Sequence, residues 1–351
     1  MINLRYHIVS LVAVFLALGM GIVMGSTVID RVTVDALNNK LEDVRNSTNG
    51  IRDDNGRLRD QIRQADDFAK ATRDELLRGH LKGVPVMVVA VAGVDRKPVD
   101  ELRAALATAQ ATVEGTVWFT SKMRLANDSD VRSLADALGL TVDRADVVRR
   151  QALGRLIPAR DPTAAEPSAL ASLSAAGFVT YEPPPTATMT TSVAPSGTSA
   201  TSVPPTLASL PLPGTRYVVV SGAGAEVGDD LVAVPFVQAV SQGSSLQPSN
   251  AQTSGSQPSS SQPTTTVSAA GAAGRVVAVE SGQDTQGGRA VFVGLLRRDA
   301  IVSTRVSTVD NLESAMGQTA TVLALEELAV PRFGHYGVGP GAQRVVPAPA
   351  A

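Results

Sequence analysis

Residues 84–93 read VPVMVVAVAG, a run with no charged residue. It is short, β-branched and continuously apolar, which marks a strand buried on both faces. Residues 96–110 follow, with Val99, Leu102, Ala105, Leu106 and Ala109 on one helical face. ATVEGTVWFT (111–120) is a second strand candidate and holds the only tryptophan, Trp118. Strand, helix and strand in this order predict an α/β fold, a mainly parallel sheet with helices on its faces.

The same reading extends outward. Two or three helices are expected between 129 and 176, then a short FVTYE strand (178–182). Further strand candidates are RYVVVSG (216–222), RVVAVES (275–281), RAVFVG (289–294) and TATVLAL (319–325), with a helix over 229–241. Two stretches break the core, 183–215 and 243–274. Neither contains a charged residue; the first is rich in Pro, Thr, Ser and Ala, the second in Ser, Gln, Thr, Pro and Ala. Neither composition buries enough apolar surface to offset chain entropy, so both are expected as disordered insertions in one domain, 83–341. A flexible tail is expected over 342–351.

Upstream of the core the character changes twice. IVSLVAVFLALGMGIVMG (8–25) carries no charge and lies between Arg5 and Asp30-Arg31. At about 1.5 Å per residue it covers roughly 27 Å, close to a bilayer's hydrocarbon core. Residues 1–25 are therefore expected to be a transmembrane anchor. The competing reading is a cleaved signal peptide, whose best cleavage point follows Val23-Met24-Gly25. Arg5 places the short amino terminus inside and the body outside the cell membrane. Gly21 and Gly25 are four apart, the spacing that lets two membrane helices approach closely. Met20 and Met24 are also one turn apart, and two thioethers suit a soft Cu(I) ion; packing or lipid contact is the simpler reading.

Residues 26–82 hold 11 Lys/Arg and 11 Asp/Glu, interleaved as on a solvated helix. Val34, Leu37, Leu41, Val44, Thr48, Ile51, Asn55, Leu58, Ile62, Ala65 and Ala69 are spaced alternately three and four apart. That is the seam of a coiled coil, with Asn55 at an a position, where a buried amide fixes register and oligomer state. The seam residues, with Gly21 and Gly25, predict a homo-oligomer; the alternative is a helix packed on its own body.

Composition excludes several chemistries. The chain of 351 residues has no cysteine and three histidines, so disulfides, thiolate metal sites and cysteine nucleophiles are absent. A net charge of −2 argues against a nucleic-acid partner. Gly222-Ala223-Gly224-Ala225-Glu226-Val227-Gly228 follows a strand, but its third glycine is one place late for a dinucleotide loop, so a plain turn is expected. His7, His80 and His335 form no paired motif. Asp229-Asp230 and Glu326-Glu327 are adjacent carboxylates of the kind found at helix ends. No catalytic constellation and no cofactor motif emerges, and the chain reads as a non-enzyme. Arg332 to Gly341 reads RFGHYGVGPG, in which glycines surround His335-Tyr336, and is expected to wrap tightly against the body.

The opening Met1–Leu18, MINLRYHIVSLVAVFLAL, with Gly21-Ile22-Val23-Met24-Gly25-Ser26, resembles the mycobacterial copper transport protein B family of actinobacteria. So do the heptad helix, VTYEP at 179–183, Ser307-Thr308-Val309-Asp310 and Gly334-His335-Tyr336-Gly337. The resemblance implies a cell-envelope protein of copper efflux or homeostasis, with copper as cargo and an outer-membrane location. A related member implies an alternative, an anchored cell-separation factor working with an envelope or division partner protein. It carries no metal-binding residue over to this chain. A transmembrane β-barrel needs many strands alternating apolar and polar, whereas several candidates here are continuously apolar.

Overall fold

The computed structural model describes residues 4–141, 144–157, 169–184, 207, 210–212, 214–242, 275–282, 291–330 and 332–348, with the side chains of 26–36 outside that description. The stretch 243–274 and most of 183–215 lie outside the described residues. Two compact units emerge, residues 1–65 and 66–351. Helix α1, Leu4–Leu77, contributes to both.

The second unit is built on β1 (Pro85–Val91), the run that opened the sequence. Helix α2 (Arg96–Thr108) leads from it to β2 (Thr112–Phe119). Asp95 starts α2 by accepting from the Lys97 amide at 3.0 Å. Helices α3 (Asp128–Ala137), α4 (Ala145–Gly154) and α5 (Leu170–Ala175) follow, then β3 (Val179–Glu182) and β4 (Arg216–Gly222). The chain continues through α6 (Ala233–Gln242), β5 (Val276–Ser281), α7 (Val291–Arg298), β6 (Ser307–Val309), α8 (Ala315–Glu327) and β7 (His335–Tyr336).

These strands form one sheet in the order β3-β2-β1-β4-β5-β6-β7. All neighbours are parallel except β2 and β3, which pair antiparallel with Val117 opposite Tyr181. Alternation along β1 explains its continuous apolar run. Met87, Val89 and Val91 face one layer, with residues of α3 to α7, while Val86, Val88 and Ala90 face the other, with α2, α8 and Leu77. Both faces are covered, so neither can tolerate a polar position, and each fully buried valine contributes about 1.5–3 kcal/mol.

Two strand expectations are corrected. Of RAVFVG (289–294), the first two residues lie outside the described residues and 291–294 fall on α7, where Phe292, Val293 and Leu296 are buried at helical spacing. The Glu280 carboxylate starts that helix by accepting from the amides of Val291 (2.7 Å) and Val293 (3.0 Å). TATVLAL falls inside α8, which is buried on nearly every side and so shows no apolar stripe. Thr319 and Thr321 donate to the carbonyls of Ala315 and Gly317, each at 2.8 Å, which disposes of their hydroxyls inside a helix. The helix expected over 229–241 is α6, which begins four residues later.

Ends of the expected insertions and tail also meet the core. Leu210 and Thr215 are buried. Thr215 Oγ1 donates to Glu114 at 2.6 Å, and the Leu212 amide donates to the same carboxylate at 3.2 Å. The stretch expected as a flexible tail is described through residue 348. Its Gln343 amide donates to the His335 carbonyl at 2.7 Å, and Pro347 is buried.

Candidate functional site

Three places in the chain were singled out by sequence: the amino-terminal helix, the glycine turn after β4 and the glycine-rich tail. Each resolves differently.

Leu4–Gly25 is an apolar helical stretch of 22 residues, long enough at about 1.5 Å per residue to cross a bilayer, and none of it is buried by the rest of the chain. Gly21 and Gly25 have nothing within 4 Å of the place a Cβ would occupy. Met20 and Met24 are 66% and 72% exposed. Further along the same unit, Leu37, Leu41, Val44, Ile51, Leu58 and Ile62 are exposed, Leu41 least at 47%. Exposed aliphatic side chains repeating over several turns form an unusually long apolar stripe for a solvated helix. Asn55 donates to the Ile51 carbonyl (2.8 Å) and Thr48 to the Val44 carbonyl (2.7 Å), so both polar seam residues are held along the helix itself. The expectation of seam residues left out the row beside them, Arg45, Arg52 and Arg59. Their seven-residue spacing was the available signal.

Within the second unit the last turns of α1 meet the body differently. Asp66 accepts from the Ala315 amide at 2.9 Å, Arg73 donates to Gln318 at 2.6 Å, and Leu77 is fully buried. Ala65, Phe68 and Leu76 stay exposed. Within this unit the helix docks through Asp66, Arg73 and Leu77, and Ala69 is half-buried.

The glycine turn lies where the strand order reverses, between β1 and β4, the usual ligand crevice of a doubly wound sheet. Here the crevice is closed by backbone. The Glu226 amide donates to the Ala92 carbonyl at 2.7 Å, and Gly93 and Gly224 approach so closely that a Cβ on either would overlap the other's carbonyl. Beside it, Ser221 donates to Asp229 at 2.5 Å. Burial pushes the Asp229 carboxyl up, and it pushes Glu280 up to about 7 despite the two amides that Glu280 accepts. Glu280 caps the start of α7, and among the described residues backbone of Gly93, Gly224 and Glu226 fills the crevice.

The tail is a clasp. Asp310 accepts from Arg297 Nη1 (2.8 Å) and from the amides of Val338 (2.8 Å) and Gly339 (3.0 Å). Arg297 also donates to the carbonyls of Tyr336 (2.8 Å) and Pro340 (2.9 Å) and to Thr308 Oγ1 (2.9 Å). Gly337 has φ +123°, and a Cβ there would overlap the Asp310 carboxylate. His335 Nδ1 is 3.0 Å from Thr308 Oγ1, and burial together with the Arg297 charge lowers its pKa. His80 instead meets Glu326 at 2.8 Å, and Tyr336 donates to Glu327 at 2.5 Å. The adjacent glutamates therefore serve two separate structural contacts. Among the described residues, no three His, Cys, Asp or Glu side chains gather as a metal cage.

Comparison with known proteins follows the whole chain. Residues 1–234 and 211–347 match the family described as "Copper transport outer membrane protein, MctB". The chain is 26% identical over 364 residues to "Copper transporter MctB" of Mycobacterium bovis and of two strains of Mycobacterium tuberculosis, covering 98% of this chain and 99% of each relative. The family supports a copper-related role, and a membrane anchor accords with the one helix among the described residues that is long and apolar enough to cross a bilayer. The sequence motifs that resembled this family meet in space, Ser307–Asp310 against Gly334–Gly337, and the chain belongs to the MctB copper transport family.

Proposed function

We propose that this chain is a single-pass, membrane-anchored envelope scaffold that serves copper homeostasis as an accessory, with its body outside the cytoplasm. It acts by self-association along the α1 seam and by presenting the α/β body to a partner. The observation that carries the reading is the exposed seam from Leu37 to Ile62, continuous in one helix with the membrane span. Identical anchors hold copies parallel and raise their local concentration, so a modest seam suffices. Gly21 and Gly25 leave room for close approach of a second span.

Copper enters as cargo. The body's donors do not form a copper site among the described residues: there is no cysteine, His80 and His335 are engaged in separate contacts, and no carboxylate–histidine cluster forms, which leaves the thioethers of Met20 and Met24 on the anchor helix. The described sheet is open, mainly parallel and covered on both faces, so it is not a lipid-facing barrel. A copper-moving step therefore belongs to an assembly. Membership of a copper transport family supports a second reading, in which the chain takes part in copper efflux.

The deciding experiment deletes the gene and complements it with wild type or with a Leu41→Glu/Ile51→Glu chain. Raised cell copper and copper sensitivity, restored only by wild type, support the reading. Unchanged copper handling on deletion overturns the copper role, and full rescue by the variant overturns the seam's part in it.

A further inference from the structure

The row beside the seam carries information that the seam itself does not. With Asn55 at a, Arg45, Arg52 and Arg59 occupy three consecutive e positions, and the g positions facing them in a parallel pair are Lys40, Ser47 and Asp54. All six side chains are exposed. Among the described residues no hydrogen bond or ion pair engages the three guanidinium groups, whereas neighbouring Arg57 and Arg63 are paired to Asp54 and Asp60 of their own helix.

In a parallel pair each g side chain meets the e side chain five residues on in the other strand. Two copies of this chain would set Lys40 against Arg45, Ser47 against Arg52 and Asp54 against Arg59 of the second copy. One contact repels, one is neutral and one attracts. An antiparallel pair would set the arginine row against itself. The apolar seam drives self-pairing in either case, but the flanking charge adds nothing to it.

We propose that the charge-matched occupant of this seam is an acidic helix of another chain, with its own three-four apolar seam and carboxylates at its g positions. Self-pairing is the state without that partner, and the acidic helix exchanges into it. Three arginine–carboxylate contacts replace one attraction and one repulsion. Membrane lipid is a poor source of the acid: Arg45 lies 20 residues beyond Gly25, roughly 30 Å along the helix, several screening lengths from the headgroups. The inference rests on the proposed use of the seam, and its test separates the two.

The full chain in detergent is titrated with two synthetic helices that share one leucine–isoleucine seam, the first with Glu and the second with Lys at each g position. Binding is read by fluorescence anisotropy and species by sedimentation. The Glu helix is expected to bind about tenfold tighter than the Lys helix, and to convert self-pairs into mixed pairs. An Arg45→Glu/Arg52→Glu/Arg59→Glu chain should reverse that preference, with helix content checked by circular dichroism. Equal binding of the two helices, no binding of either, or a preference unmoved by the triple reversal overturns the proposal. So does polyglutamate binding as tightly as the Glu helix, which would make the row a general polyanion surface. A wild-type chain that self-associates but takes neither helix sinks this inference alone; one that stays monomeric sinks the seam as well.

Discussion

The Asp310 carboxylate and the Arg297 guanidinium lie 2.8 Å apart, with side chains 1% and 6% exposed, and the glycine-rich tail is wrapped around both. Removing one member leaves the other charge buried and unmatched. Asp310→Asn should therefore cost about 3–5 kcal/mol. Gly337→Ala should also destabilise, because φ +123° strains an alanine, by about 1–3 kcal/mol, and its Cβ meets Asp310. Thermal unfolding of the chain checks both. Unchanged midpoints would show that the clasp is incidental.

Glu280 gives stability a pH dependence of known sign. Its folded value of about 7 exceeds the ordinary 4.5, because burial penalises the charge and because Asp229 and Asp310 face it. The folded state then binds the proton more tightly than the unfolded one. Stability from this group falls as pH rises between about 4.5 and about 7, and levels off above. Glu280→Gln should flatten that slope in urea titrations across the window. An unchanged slope would place the proton elsewhere.

Glu182 has the opposite sign. Burial pushes its carboxyl up, but hydrogen bonds from Arg103 and Trp118 and the charges of Arg103 and Arg96 outweigh that and hold it below the ordinary range. Its contribution is present above pH 4.5 and is lost as pH falls through the lower folded value. Trp118 Nε1 donates to this carboxylate at 3.2 Å and reports on it as the only tryptophan. Glu182→Gln should cost about 1–3 kcal/mol and shift tryptophan emission. Emission that is identical in the variant would contradict the contact.

Sequence located β1, β4 and β5, which are buried on both faces, where alternation vanishes and a β-branched run remains, and it also located β2 and the edge strand β3. The same cue misled at α7 and α8. A helix buried all round also loses its stripe, and only its length or its cap distinguishes it. For α7 the cap is Glu280, which precedes the helix by eleven residues and was invisible to local pattern. Strands β6 and β7 span three and two residues, too few for any period, and exist because Asp310 and Arg297 hold the tail beside them. At the candidate site the seam was legible because heptad spacing is local. The closure of the β1–β4 crevice was not, since it depends on Gly93 meeting Gly224 across 131 residues.

The seam itself makes the remaining prediction. Leu41 and Ile51 are exposed at 47% and 59%, so acidic replacements there touch nothing else in the chain. Leu41→Glu/Ile51→Glu should leave the body's unfolding transition in place and turn a self-associating chain into a monomer by sedimentation in detergent. Asn55→Val should do the reverse in one respect. It removes an amide that costs stability when buried in a seam, so association should tighten while the number of strands becomes less uniform. Asn55 now donates to its own helix at Ile51, and it must release that carbonyl or share its amide to meet a second Asn55. A coil that forms without Asn55 but in several sizes would show that this amide sets the strand count, whereas a single size in both chains would move that role to the apolar positions.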